Sequence, residues 1–197
     1  MFTGLIEEVG TVSAVGGNQL KLAAPHVAKT IHRGDSLAVN GCCLTLTARR
    51  GDGLIFDLLE ETIARTNLKN LQREQLVNLE RALTMSDRVG GHFIQGHVDC
   101  VSHVIACQKS SADFRLEIEL PRAFAHYVAS KGSIAVNGIS LTVADVLPKS
   151  FVTWIIPYTK THTNLDRVQA GDLMNLEFDI LAKYVERMVS SYRTKPN

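Results

Sequence analysis

Hydrophobic and polar residues alternate in short runs through most of this chain, and Gly, Asn and Asp cut the runs short. Val9, Thr11 and Ser13 alternate with Gly10, Val12 and Ala14, and residues 19–22, 37–39, 44–47 and 54–58 are further brief β-type runs. About six such strands per ninety residues predict a small closed barrel, because closure removes the edges that short strands leave exposed. Residues 25–32 and 121–130 read as single short helices, each opening on a proline whose missing N–H costs nothing there. The period changes only at the end. In DILAKYVERMVSSYR, Ile180, Leu181, Tyr184, Val185, Met188, Val189 and Tyr192 share one helical face, with Lys183, Glu186, Arg187 and Ser190 opposite. That stripe predicts burial, either on the chain's own barrels or on another subunit.

The strand pattern occurs twice. SLAVNGCCLTLT from Ser36 returns as SIAVNGISLTVA from Ser133, identical at seven of twelve positions. TIARTNL from Thr62 matches TKTHTNL from Thr159, and Asn78, Leu79 and Glu80 match Asn175, Leu176 and Glu177, all at an offset of 97. The beginnings, FTGLIEEVGTV from Phe2 and IQGHVDCVSHV from Ile94, match at an offset of 92. The second copy therefore carries about five extra residues, and polar residues 108–113 read as a lengthened hairpin loop that holds them. The fold class expected is all-β: two tandem six-stranded, Greek-key-like β-barrels related by internal duplication (residues 1–86 and 87–179), plus a C-terminal α-helix and tail (residues 180–197).

Composition narrows the partners. The chain has 45% hydrophobic and 21% charged residues and a formal charge of +1, with no Lys/Arg run of the kind that nucleic acid or an anionic membrane needs. No window approaches the roughly 18 apolar residues of a membrane span, and the acidic residues near the start do not suit a signal peptide, so a cytoplasmic protein with reduced thiols is expected. Cys42, Cys43, Cys100 and Cys107 show no zinc-type spacing, so no metal is expected. The glycines form neither a P-loop nor GxGxxG.

MFTGLIEEVG, VNGCCLT, ETIARTNL, VNLERAL, GGHFIQGHVD and VNGISLTV, in this order across essentially the whole chain, resemble the riboflavin synthases of the alpha-chain type. The resemblance implies two similar barrels per chain and a homotrimer held through the terminal helices. It also implies a reaction in which two molecules of 6,7-dimethyl-8-ribityllumazine exchange a four-carbon unit, giving riboflavin and a 5-amino-6-ribitylamino-pyrimidinedione without an organic cofactor. Two like substrates call for two like pockets, facing each other across a subunit boundary. The rival reading is a non-catalytic lumazine- or flavin-binding antenna-type protein, whose drift should erode one copy; here both copies keep NG–x–x–LT, T–x–x–x–TNL and NLE.

On this resemblance Gly4, Leu5 and Ile6, and their counterparts Gly96, His97 and Val98, lie at the ligand. Cys43, Leu44 and Thr45, and Ser140, Leu141 and Thr142, line one wall of each pocket. Asp57, Leu58, Leu59, Glu60, Glu61 and Thr62 line the other wall in the first copy; Ile156, Pro157, Tyr158, Thr159, Lys160 and Thr161 do so in the second. Thr45 and Thr142 are also what strand propensity alone would select. The Cys43 thiol or Ser140 hydroxyl is either a nucleophile or proton relay at lumazine C7, or a small lining group beside an attacking water or ribityl hydroxyl. His97, which aligns with Leu5, suits proton transfer near neutral pH; His92, His103 and His126 lack that positional support. Ser36 and Lys131 are placed near the substrate. Asp179 either orients His97 or caps the final helix. Asn137, where some relatives carry aspartate, receives no acid or base role.

Overall fold

The computed structural model describes residues 1–193, with side chains through Ser190; residues 194–197 and the side chain of Tyr192 lie outside that description. Strands β1 (Glu8–Gly16), β2 (Gln19–Ala23), β3 (Ser36–Val39), β4 (Cys42–Arg50), β5 (Gly53–Asp57) and β6 (Leu76–Arg81) close an antiparallel barrel in the order β1-β2-β5-β4-β3-β6. Strands β7 (Cys100–Ser110), β8 (Asp113–Glu119), β9 (Ser133–Val136), β10 (Ile139–Val146), β11 (Ser150–Ile155) and β12 (Leu173–Phe178) close a second barrel with the same connectivity. Short helices α1 (Glu60–Arg65) and α2 (Pro157–Thr161) follow β5 and β11, and α3 (Ile180–Arg193) follows β12. No helix among the described residues is long and apolar enough to cross a membrane.

Period-two alternation fills each barrel. Leu20, Leu22, Leu37, Leu46, Leu54, Phe56 and Leu79 are fully buried in the first, and Leu116, Ile118, Val136, Phe151 and Leu176 in the second. Each such side chain contributes about 1.5–3 kcal/mol by leaving water. Equivalent bulges at Val12/Ala14 and Val104/Ala106, and at Leu46/Ala48 and Val143/Asp145, bend long strands around the closure.

Two local expectations need correction. The extra residues of the second copy do not lengthen a loop: Gly16 pairs with Gln19 and Ser110 with Asp113, leaving a two-residue turn in both hairpins, while the strands themselves grow from 9 and 5 residues to 11 and 7. The segments opened by Pro25 and Pro121 are 3-10 turns, Val27–Lys29 and Arg122–Tyr127, the form in which short connectors between strands are often built.

The repeated motifs join the barrels to each other. Asn40-Gly41 and Asn137-Gly138 are hairpin turns with positive φ at both positions (45° and 75°, 45° and 78°), the geometry of a type I′ turn. Their tips meet back to back, so that a Cβ on Gly41 would lie 2.6 Å from the backbone nitrogen of Gly138. Around them the asparagines of NG, TNL and NLE bond in reciprocal pairs. The Asn67 N–H donates to Asn175 Oδ1 and the Asn164 N–H to Asn78 Oδ1, both at 2.7 Å. The Asn67 and Asn164 amides donate to Asn137 Oδ1 and Asn40 Oδ1 at 3.1 Å, and the Asn78 and Asn175 amides donate to the Asn137 and Asn40 carbonyls at 3.0 and 2.8 Å. Asn78→Ala leaves the Asn164 N–H and the Asn137 carbonyl without this partner in a buried site, and should cost about 3 kcal/mol in chemical denaturation.

Of the two covers expected for its apolar stripe, helix α3 does not receive one from the chain's own barrels. Its polar face is anchored on its own barrel: Lys183 pairs with Asp99 at 2.6 Å, His126 with Glu186 at 2.9 Å, and the Tyr127 hydroxyl donates to Glu186. The apolar stripe is turned outward, with Leu181, Tyr184, Val185 and Val189 between 46% and 60% exposed.

Candidate active site

The two segments that precede the barrels cross over. Phe2 and Ile94 bridge to each other, the Phe2 N–H donating to the Ile94 carbonyl at 2.7 Å and the reverse bond measuring 3.1 Å. Beyond this bridge each segment runs onto the other repeat's barrel. The Ser140 N–H donates to the Gly4 carbonyl at 3.0 Å, and the Cys43 N–H to the Gly96 carbonyl at 2.8 Å. Ile6 packs against the second core and Val98 against the first. The candidate residues thus assemble as Cys43 with Gly96, His97 and Val98, and as Ser140 with Gly4, Leu5 and Ile6.

A buried glutamate on the last strand of each barrel holds these arms. Glu80 accepts from the Thr3 N–H and hydroxyl at 2.6 and 2.7 Å and from the Gly4 N–H at 2.9 Å. Glu177 accepts from the Gln95, Gly96 and His97 N–H groups at 2.7, 2.9 and 2.9 Å. Gly4 and Gly96 are required where they stand. Both have φ near +80°, and a Cβ would meet Ser140 N at 2.5 Å in one case and Cys43 Cβ at 2.6 Å in the other.

Strand alternation divides the proposed walls. Leu44, Leu141 and Leu58 turn their side chains into the barrel cores. Cys43 and Ser140 are half-buried and Thr45 and Thr142 exposed on the outer face, where Ser36 and Ser133 pair with the two threonines. Leu59, Glu60, Glu61, Ile156, Pro157 and Tyr158 are exposed, Thr62 and Thr159 half-buried. Several of these groups have local tasks. Asp57 accepts from Gln19, Glu61 pairs with Arg65, Tyr158 stacks on His162, and Thr161 donates to the Pro157 carbonyl. The Lys160 ammonium donates to the Leu165 and Asp166 carbonyls and sits 5.1 Å from the Phe114 ring centre. Lys131 is exposed at a turn (φ 67°), and Ser36 borders a groove that also receives Leu5, Glu80 and Arg81.

The catalytic candidates separate as well. Asp179 accepts from the Leu181 N–H at 2.9 Å and so caps α3, the second of its two expected roles. Its charge acts on His92 instead of orienting His97. His92 is the residue that sequence reasoning set aside: its Nδ1 lies 2.7 Å from Ser140 Oγ. Burial holds this imidazole below its ordinary value, against the pull of Asp179, so the neutral ring is available to share the serine proton. The signal for it was the GGH run, since a Cβ on Gly91 would collide with the Thr3 carbonyl at 2.1 Å and with Ser140 Cβ at 2.7 Å. His103 is spent on the Gly171 carbonyl and His126 on Glu186. Burial drives the Cys42 thiol up to about 12, which leaves Cys43 as the half-exposed thiol of the pair. No group of three or more His, Cys, Asp or Glu among the described residues could hold a metal ion.

The result is two shelves of similar plan with different chemical endings: Cys43 under the arm that carries His97 on the first barrel, and the Ser140 hydroxyl beside His92 on the second. The lumazine binding domain family model matches residues 3–82 and 95–179, one match per barrel. The riboflavin synthase of Mycobacterium tuberculosis is 42% identical over 97% of this chain and 99% of its own length. That of Actinobacillus pleuropneumoniae is 38% identical over 96% and 90%, and that of Schizosaccharomyces pombe 37% over 98% and 95%. The crystal structure of LumP complexed with 6,7-dimethyl-8-(1'-D-ribityl) lumazine superimposes with a TM-score of 0.83 at 22% identity, over 90% of this chain and 99% of that one, and LumP complexed with riboflavin with a TM-score of 0.85. Matched over both barrels and along nearly its whole length, the chain belongs to the riboflavin synthase family of tandem lumazine-binding domains.

Proposed function

We propose that this protein, acting in the cytoplasm as a homotrimer, converts two molecules of 6,7-dimethyl-8-ribityllumazine into riboflavin and 5-amino-6-(ribitylamino)pyrimidinedione. Residues 1–86 and 87–179 each form a lumazine-binding barrel whose half-site is completed by the arm of the other, and residues 180–197 supply the assembly contact. The observation that carries this reading is the reciprocal crossing, Cys43 to Gly96 and Ser140 to Gly4, which makes two shelves of one design. The substrates contain every atom of the products, so a four-carbon unit leaves one lumazine and joins the other with no external oxidant or reductant.

The first barrel of one subunit and the second barrel of its neighbour bring two heterocycles face to face. Holding them in near-attack geometry accounts for roughly 7–11 kcal/mol of the barrier. Thr45 and Thr142, with Ser36 beside the first shelf and Lys131 by the second, meet the ribityl hydroxyls and the dione edge; the segments at Leu59 to Thr62 and Ile156 to Thr159 border the rings. His97 and the His92–Ser140 pair move protons to and from the C7 methyl and ring nitrogens. Cys43 lines the first shelf, and water or a ribityl hydroxyl adds at C7.

Purified protein given the lumazine and nothing else should yield one riboflavin per two lumazines, followed by riboflavin absorbance. Binding without turnover would identify a non-catalytic carrier instead. Cys43→Ala should lower kcat by less than about tenfold, since a lining group is lost and no covalent step. A loss beyond about a thousandfold would make the thiol the nucleophile.

A further inference from the structure

We infer that Glu177 is a positioning residue for the first-barrel half-site, fixing His97 beside Cys43, and that the Lys183–Asp99 pair ties this position to helix α3. The inference rests on the function proposed above but stands on a separate arrangement of atoms. Glu177 is 4% exposed and takes three consecutive backbone N–H groups, with Oε1 on Gln95 and Oε2 on Gly96 and His97. Three donors turned to one side force the intervening carbonyl to the other, where Gly96 accepts from Cys43 at 2.8 Å. The arm is therefore clamped between a carboxylate of the second barrel and an amide of the first. His97, whose side chain is exposed, is the residue that leaves the clamp. Directly after the arm, Asp99 Oδ2 accepts from the Phe178 N–H at 2.8 Å and pairs with Lys183 of α3 at 2.6 Å, both side chains being about four-fifths buried.

The corresponding Glu80 cradles Thr3 and Gly4, but the first barrel has no α3 beside it. Its neighbouring cation, Arg81, pairs outward with Glu7. The second clamp is thus the one connected to the helix whose apolar stripe faces out.

Ionisation decides whether the clamp is closed. An anion accepts all three N–H groups, whereas a protonated carboxyl presents a hydroxyl donor to one of them. Burial pushes the Glu177 carboxyl up to about 7, against the arm amides and Lys183, with Asp99 adding to the rise. The ionisable groups that face it are Lys183 on α3, Asp99 after the arm and the Cys42 thiol of β4; Ala135 of β9, its partner across the ladder, is apolar. The folded value lies above the unfolded 4.5, so Glu177 contributes stability that is full below pH 4.5 and lost as pH rises through about 7. The clamp closes over the same interval, so positioning is gained where stability is given up.

Two full-length variants test this. In Glu177→Gln, kcat should fall at least about tenfold while the lumazine dissociation constant moves less than about threefold, and hydrogen exchange at the 95–97 amides should quicken. In Lys183→Met the three N–H bonds remain, but the step in kcat near neutral pH should move to higher pH, because a cation favouring the carboxylate is gone. The inference is overturned by a Glu177→Gln kcat within twofold of wild type, by equal losses in kcat, binding and folding, or by an unmoved step in Lys183→Met. Unprotected 95–97 amides in the wild type would overturn it whether or not riboflavin forms, whereas protected amides with no riboflavin would sink the proposed reaction alone. If Glu177→Gln does not fold, the Lys183→Met step decides.

Discussion

Removing residues 180–197 should yield single chains that make riboflavin at least about 100-fold more slowly while still binding lumazine. The polar face of α3 is already occupied by its own barrel, through Lys183, Glu186, His126 and Tyr127. Its outward stripe of Leu181, Tyr184, Val185 and Val189 therefore has another copy of the chain as its cover in the proposed trimer. Without that contact each shelf loses the opposing one, and the advantage of holding two reactants together disappears. Since the truncation also removes Lys183, Val185→Asp is the sharper variant. It sets a charge in the stripe and leaves the Lys183–Asp99 pair in place, and should give the same two results by light scattering and riboflavin absorbance. Fully active monomers from either variant would remove the inter-subunit site.

Gly96→Ala should lower turnover about 100-fold and abolish lumazine binding on the first barrel. The position has φ +82°, which costs an alanine about 1–2 kcal/mol, and the new methyl would stand 2.6 Å from Cys43 Cβ, 2.9 Å from Cys43 N and 2.9 Å from the Phe2 ring. Backbone cannot yield as a flexible side chain does, so the arm must leave Cys43 and carry His97 with it. Gly4→Ala should do the same on the second barrel, where the methyl would meet Ser140 N at 2.5 Å. Gly51→Ala separates strain from displacement: its φ is +59° with nothing within 4 Å, so it should cost stability and leave kcat unchanged. Calorimetric detection of one binding event per chain in Gly96→Ala, against two in the wild type, checks the assignment.

Two barrels and a terminal helix are legible without coordinates, because duplication at an offset of 97 and period-two alternation are both local properties of the chain. The meaning of the repeated words is not. NG, TNL and NLE read only as signs that both copies are retained, yet their asparagines fasten one barrel to the other and the two glutamates of NLE hold the arms. Asn-Gly between two strands does announce a type I′ turn, but the partner of that turn sits on a different domain. Alternation states that Leu44 and Leu141 point one way and Cys43 and Ser140 the other; it cannot say which face carries the site. The crossing of the arms is likewise non-local, so Gly4 aligns with Gly96 in sequence while each serves the opposite barrel. His92 shares no repeat position and becomes visible only once the Phe2–Ile94 bridge brings it to Ser140. The stripe of α3 promises a cover without naming it, and its polar face turned out to be the anchored one.

The most direct test is to produce Gly96→Ala and Gly4→Ala chains together with different affinity tags and isolate the mixed assemblies. Each variant alone damages one shelf in every chain, whereas a mixed assembly holds an intact first shelf on one subunit facing an intact second shelf on the next. Riboflavin formation well above that of either variant alone is the expected result. Mixed assemblies no more active than the separate variants would contradict the claim that neighbouring subunits complete the site.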